Sequence, residues 1–221
     1  MESEQILKKG ASRLGVELDQ QQVDALLMYF GELKKWNRRM NLIARDTKDG
    51  QILENHFLDS LTLYPLLSQQ HGARLLDVGT GAGFPGLVLA AVLPGVSFTL
   101  LEPRLKRVSF LRHIARTLQL ENVEIIADRI ETFAPEHADR FSLVTSRAVA
   151  SPGSFLPMVY PFLEQGATAV VMVAKEERLQ EVEKLDRSCQ LISTQRFVLP
   201  SSGAARVIGL ICLSNEKKYF T

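Results

Sequence analysis

The chain has 221 residues, 46% hydrophobic and 23% charged, enough for one sizeable globular domain with an appendage. Its formal net charge of +1 excludes a uniformly basic or acidic protein, and no apolar run reaches the length of a membrane span. MESEQILKKG lacks the basic-then-apolar order of a secretion signal, so a cytoplasmic location is expected.

The first seventy residues read as helical. Val23, Leu26, Leu27, Phe30, Leu33, Trp36 and Met40 recur at three- and four-residue steps and make one apolar stripe. Lys34 and Arg38 point away from that stripe, and Lys35 and Arg39 lie along its flank. A second helical stretch is expected from about Gln51 to Leu67, broken near Asp59-Ser60, where either residue could cap a new helix. Past Gly72 the texture changes to short apolar runs alternating with helical patterns. RLLDV, VSFTLLE, VEIIA, FSLVT and ATAVVMVA read as strands, with KEERLQEVEKL as the helix after the fifth. The alternation predicts a doubly wound, mostly parallel sheet. QLISTQRFVLP and ARVIGLICL are joined only by SSGA, a connection short enough to require antiparallel neighbours, so a seven-stranded sheet ends in a hairpin. The expected organisation is a helical extension over 1–72 for substrate recognition and a catalytic domain over 73–221.

Charge is clustered despite its small sum. Residues 34–45 carry Lys34, Lys35, Arg38, Arg39 and Arg45 and no acid; residues 104–116 carry Arg104, Lys106, Arg107, Arg112 and Arg116 and no acid. Such stretches suit phosphate contacts, and they equally suit solvated helix faces. Cys189 and Cys212 sit in strand-like runs and read as buried thiols; no Cys/His group has zinc spacing, so no metal is expected.

Residues 77–86, DVGTGAGFPG, place four glycines at a strand-to-helix turn. Glycine there permits positive φ and lets a ligand approach the main chain. Pro85 suits the first helical turn, and Pro94-Gly95 stops the helix. Gly81, Gly83 and Gly86 have the G-x-G-x-x-G spacing, and Glu102 ends the next strand about twenty residues on, where a carboxylate can accept ribose hydroxyls. S-adenosylmethionine suits this better than a dinucleotide. Asp77 stands two residues before Gly79, and its acid welcomes a cationic methionine end and repels a pyrophosphate. The closing hairpin and the helical appendage point the same way. Asp128 could reach an adenine amino group, or serve as a helix cap ahead of Arg129.

The acceptor is constrained by chemistry. Methylating pyrimidine C5 needs a cysteine nucleophile, and neither cysteine lies at a strand-to-helix turn. Exocyclic amines are typically methylated beside an Asn/Asp-Pro-Pro-aromatic turn; this chain has Thr145-Ser146-Arg147-Ala148 there. A ring nitrogen such as guanine N7 is already nucleophilic and needs only alignment. Arg147, at the carboxyl end of the fourth strand, could clamp a cofactor carboxylate or a substrate phosphate, or form a surface ion pair.

Trp36-Asn37, Asn41-Leu42, His56-Phe57-Leu58-Asp59-Ser60, the glycine block, Lys106-Arg107 with Phe110-Leu111, Arg129-Ile130-Glu131 and Ser146-Arg147-Ala148 occur in that order. Together, from about residue 20 to residue 175, they resemble the bacterial 16S ribosomal RNA guanine-N7 methyltransferases, long called glucose-inhibited division protein B. The resemblance implies S-adenosylmethionine as cofactor and a guanine of 16S rRNA, in the small ribosomal subunit, as substrate. It implies cofactor contacts from Gly79, Phe84, Ile130, Glu131 and Arg147, with His56 and Asp59 near the mouth of the site. The expected site is then Arg147 and His56 at the reaction; Asp77, Gly79, Gly81, Gly83, Phe84, Glu102, Asp128, Ile130, Glu131 and Arg147 at the cofactor; and Lys34, Lys35, Arg38, Arg39, Arg45, Arg107 and Arg112 at RNA, in a monomer. Three positions depart from the family pattern: Asn55 replaces an arginine, Glu102 an aspartate, and Lys175-Glu176 a lysine-glycine pair. A different RNA, protein or small-molecule acceptor is the alternative, as is a non-catalytic RNA-binding assembly factor.

Overall fold

A computed structural model describes residues 2–147, 152–179 and 188–214. The chain opens with α1 (Glu2–Arg13) and α2 (Gln20–Asn37). Asp19 starts α2 with a reciprocal cap: its side chain accepts the Gln22 N–H at 2.8 Å, and the Gln22 carboxamide oxygen accepts the Asp19 N–H at 3.0 Å. The expected stripe packs inward, with Trp36 and Met40 half-buried at its end and two further differences. Tyr29 joins it as a wholly buried residue, and Leu27 is only half-buried.

The next helical path differs from expectation. It runs as α3 (Asp49–Ile52), a widened π turn (Leu53–Leu58) and α4 (Asp59–Leu61), then α5 (Tyr64–Leu67). Asp59 and Ser60 therefore do not break or cap it. The Asp59 carboxylate is drawn sideways to two arginines, and the break falls at residues 62–63. A π turn inserts one extra residue per turn and re-aims the side chains it carries, here Asn55 and His56.

The sheet follows: β1 (Arg74–Val78), α6 (Gly86–Ala90), β2 (Ser97–Leu101), α7 (Leu105–Thr117), β3 (Val123–Ile126), α8 (Ile130–His137), β4 (Leu143–Ser146), α9 (Pro152–Glu164), β5 (Thr168–Val173), β6 (Cys189–Val198) and β7 (Ala205–Leu213). Strand order is β3-β2-β1-β4-β5-β7-β6, parallel from β3 to β5 and antiparallel across β7 and β6. The helix expected after β5 falls mostly on residues 180–187, outside the described residues, as does Ala148. Pro85 precedes α6 as its cap.

Alternation in the strands sends neighbouring residues to opposite faces. Leu75, Phe98 and Leu100 join one apolar cluster with α6, α7 and the helices of the first seventy residues. Leu76, Val78, Leu101 and Val144 join a second with α8 and α9. The helical extension thus shares its core with one face of the sheet. Polar contacts fasten it: Glu54, 5% exposed, accepts the N–H groups of Ser201 and Ser202 in the β6–β7 turn at 2.6 and 2.8 Å. Tyr29 donates its hydroxyl to the carbonyl of Ala82 within the glycine turn.

Candidate active site

Parallel β1 and β4 are neighbours, and the chain leaves them toward opposite flanks of the sheet. Ligands of such sheets bind in the crevice at that divergence, beyond the carboxyl ends of the strands. Among the described residues, two buried side-chain atoms have no hydrogen-bond partner, Asp77 Oδ1 on β1 and Ser146 Oγ on β4. Both stand at this divergence, since Asp77 pairs in register with Thr145. Buried orphan polar atoms are uncommon and call for a partner.

Asp77 is wholly buried. Its Oδ2 accepts the Thr80 hydroxyl at 2.6 Å and the Gly86 N–H at 2.9 Å, which ties both ends of the glycine turn to the strand. Burial pushes the carboxyl up to about 7, against the opposing pull of those two bonds and of Arg147. Gly86 is glycine because a Cβ would lie 2.2 Å from Leu100 Cδ2 and 2.9 Å from Asp77 Oδ2.

Glu102 closes β2, 2% exposed. Its Oε2 accepts the Gly81 N–H at 3.0 Å and its Oε1 the Arg104 N–H at 3.0 Å. Gly81 has φ +65°, and space is open beside it, with Arg107 Nη1 the nearest atom at 3.7 Å from a notional Cβ. Arg107 also stands 3.6 Å from Glu102 Oε2. The structure therefore sets Arg107 over the glycine turn, apart from the exposed Arg104, Lys106 and Arg112. Gly83, unlike Gly81, faces packed side chains: a Cβ there would meet Leu87 Cδ1 at 2.5 Å and Tyr29 Oη at 2.7 Å.

A cleft of about 200 Å³ adjoins this turn, walled by Val78, Gly79, Leu101, Pro103, Ile130 and Met158, with Asp128, Arg129 and Glu131 at its rim. That is below the ~300 Å³ of a complete ligand pocket, so it accommodates one part of a larger molecule. Asp128 is not the cap of α8; Arg129 holds that position, and Asp128 Oδ1 accepts the Arg129 N–H at 2.7 Å. Pro103 and Met158 carry no polar signal that a sequence could offer.

Phe84, 3% exposed, stands among rings: Tyr29 at 5.4 Å and His56 at 4.9 Å are stacked with it, and Phe57 meets it edge-on at 5.3 Å. Its side chain is thus occupied by packing. The Arg147 guanidinium lies 4.9 Å from the same ring. Arg147 donates to the Asn55 carbonyl at 2.7 Å, to Asp59 Oδ2 at 3.3 Å and to His56 Nδ1 at 2.9 Å. The Asn55 contact uses main chain, so an asparagine serves there as well as an arginine would. Asp59 Oδ1 accepts from Arg206 Nε of β7 at 2.6 Å, so one carboxylate, 6% exposed, holds two arginines. Arg206 had no motif to announce it. Burial, then the Arg147 charge, pushes His56 down to about 4, and burial pushes Arg147 down from its ordinary value.

The basic residues of 34–45 separate. Lys34, Arg38 and Arg45 line one cavity, Lys35 pairs with Glu32 at 2.6 Å, and Arg39 is exposed. Glu176, of the departing Lys175-Glu176 pair, is bound by Arg196. Cys189 and Cys212 are buried on the hairpin strands. No group of three metal-ligating side chains and no helix long and apolar enough to cross a membrane occurs among the described residues.

These residues fit S-adenosylmethionine. The orphan Asp77 Oδ1 can accept from its ammonium, and Ser146 Oγ has a free donor and acceptor for its polar end. Gly81 admits a close approach, and Glu102 can take the ribose hydroxyls.

Solved structures with the same fold include MtNAS in complex with MTA and tNA (TM-score 0.55, 13% identity, 87% of this chain and 70% of that one). Another is M. jannaschii TYW2 in complex with AdoMet (TM-score 0.51, 16% identity, 70% and 76%). The chain is similar to the Ribosomal RNA small subunit methyltransferase G of Desulfotalea psychrophila, 46% identical over 91% of this chain and 94% of that protein. The protein of that name from Geobacter sp. (strain M21) is 37% identical over 95% and 97%. The family model described as rRNA small subunit methyltransferase G matches residues 22–208, so the chain belongs to the GidB family of S-adenosylmethionine-dependent methyltransferases.

Proposed function

We propose that the protein methylates N7 of a guanine in 16S ribosomal RNA, in the cytoplasm, with residues 1–72 helping to recognise the RNA. S-adenosylmethionine, when bound, supplies an electrophilic methyl group on a sulfonium. Asp77 and Ser146 hold its amino-acid end, Glu102 its ribose, and the cleft with Gly79, Asp128, Ile130 and Glu131 its base.

The observation that carries N7 is that His56 and Asp59, the described titratable groups beside Arg147, are both engaged and neither is free to act as a base. His56 is pushed down to about 4, and its Nδ1 lone pair is engaged by Arg147. Asp59 is held by two arginines. Neither cysteine is near. An acceptor that must lose a proton first would find neither of these two groups free to take it, whereas guanine N7 offers a free lone pair. With Nδ1 accepting from Arg147, the His56 proton sits on Nε2. That N–H can meet guanine O6, the acceptor beside N7, and align the base. Arg147 is the residue that fixes the ring.

The test is mass spectrometry of nucleosides from 16S rRNA treated with purified protein and methyl-labelled S-adenosylmethionine. Label in N7-methylguanosine is expected. Label in any other nucleoside would overturn the acceptor, and no label in RNA would overturn the substrate.

A further inference from the structure

A second cavity, about 360 Å³, lies in the helical layer between α2, the loop after it and α3. Asn37, the last residue of α2 and 9% exposed, builds it. Its Oδ1 accepts the N–H groups of Leu42 and Ile43 at 2.8 and 3.0 Å, which folds the chain back on the helix end. Its amide nitrogen has no partner among the described residues.

The wall is cationic. Arg45 is anchored through Nε to Asn41 Oδ1 at 2.8 Å, which leaves its two terminal nitrogens without a partner among the described residues. Arg38 is exposed and makes no ion pair with a described residue. Lys34 is the exception, shared with Asp49 at 2.6 Å. Three cations thus face one acid. The remaining wall is Thr47 with two apolar side chains, Ile43, half-buried, and Ile52, 4% exposed. Arginine forks suit phosphate, and two apolar isoleucine side chains can pack against a ring. A lone anion would have no use for the isoleucines, and an apolar ligand none for the arginines. The volume is at the small end of whole-ligand pockets, suited to one nucleotide.

We propose that this cavity seats one flanking nucleotide of the RNA, its phosphate on Arg38 and Arg45 and its base against Ile43 and Ile52. The proposal rests on the RNA substrate proposed above. Arg38 follows Tyr29 by nine residues, about 13 Å along α2, and Tyr29 packs on Phe84 beside His56. The proposal places the target base in the crevice and a neighbouring nucleotide of the same strand in the cavity.

The test titrates the protein with the four nucleoside 5′-monophosphates and, separately, inorganic phosphate, following labelled methyl resonances of Ile43 and Ile52. Saturable shifts of both with at least one monophosphate, and weaker shifts with phosphate, are expected. The double variant Arg38→Gln, Arg45→Gln should bind that monophosphate about tenfold more weakly. In methylation of 16S rRNA it should raise KM about tenfold while kcat and S-adenosylmethionine affinity hold. No shift with any monophosphate, an equal response to phosphate alone, or an unchanged KM would each overturn the proposal. If the wild type methylates no RNA but still binds a monophosphate here, the substrate fails and the nucleotide seat stands.

Discussion

Arg147 donates to His56 Nδ1 at 2.9 Å, and that contact decides which ring nitrogen carries the proton. Arginine cannot accept, so Nδ1 presents its lone pair and the proton sits on Nε2. Protonating the ring would break the contact and place a second cation beside Arg147. With His56 held at about 4, the kcat profile should carry no inflection from this residue between pH 5 and 8. His56→Ala should lower kcat about 10²-fold and leave S-adenosylmethionine affinity nearly unchanged. His56→Asn, whose amide oxygen can replace Nδ1 as acceptor, should lose less. A wild-type inflection near 6.5 that vanishes in His56→Asn would refute the assignment.

Two glycines of the same turn should fail differently. Gly81 has φ +65° and open space beside it, so Gly81→Ala brings backbone strain of about 1–2 kcal/mol and a methyl group toward the crevice. It should melt a few degrees lower and lose most S-adenosylmethionine binding, read by calorimetry. Gly83→Ala would drive a methyl group into Leu87 and Tyr29. Its main effect should be on stability, with a larger fall in melting temperature and slackened docking of α2, seen as faster amide exchange around Tyr29. Equal melting temperatures for the two variants would contradict this division.

Much of the fold was legible because its signals are local. DVGTGAGFPG follows an apolar strand, Glu102 falls one unit later, and SSGA leaves no room for a crossover. Gly79, Asp128, Ile130 and Glu131 gather at one cleft, as their places just after β1 and between β3 and the first turn of α8 imply. What escaped depends on long-range packing. Arg206 reaches Asp59 across 147 residues, and Tyr29 meets Ala82 across 53; no window of sequence contains either pair. The π turn escaped because one extra residue per turn leaves no compositional mark. Gly83 reads from spacing as a ligand glycine, and only the position of Tyr29 reveals what its missing side chain admits.

Arg107 and Arg112 share a helix and a basic stretch, but the structure gives them different surroundings. Arg107 lies 3.6 Å from Glu102 Oε2, whereas Arg112 is exposed and makes no ion pair with a described residue. Arg107→Ala should free Glu102 to take ribose hydroxyls and strengthen S-adenosylmethionine binding, with the salt dependence of RNA binding unchanged. Arg112→Ala should leave cofactor affinity alone and reduce the slope of log K against log salt by about one. The two readouts are calorimetry with S-adenosylmethionine and RNA binding across a salt series. The reverse pattern would return Arg107 to the RNA-facing set.

Asp77 and His56 bias stability in opposite directions over the same pH range. Asp77 titrates at about 7 in the folded chain against an ordinary 3.8, so the folded state binds a proton that the unfolded chain has released. Its contribution is complete below 3.8 and is lost as pH rises through 7, by up to about 1.4 kcal/mol per pH unit. His56, at about 4 against 6.5, is protonated first in the unfolded chain, so stability is lost as pH falls from 6.5 to 4. Between about 4 and 6.5 the two slopes oppose each other. Asp77→Asn should remove one and reveal the other, giving a variant whose stability falls on acidification below 6.5. Above pH 7 it should be more stable than the wild type, because a neutral amide is cheaper to bury than a carboxylate. It should also bind S-adenosylmethionine at least about tenfold more weakly, because an amide lacks the charge proposed to face the ammonium. Urea titrations between about pH 4 and 8 would decide: parallel stability curves for wild type and variant are incompatible with a proton held on Asp77.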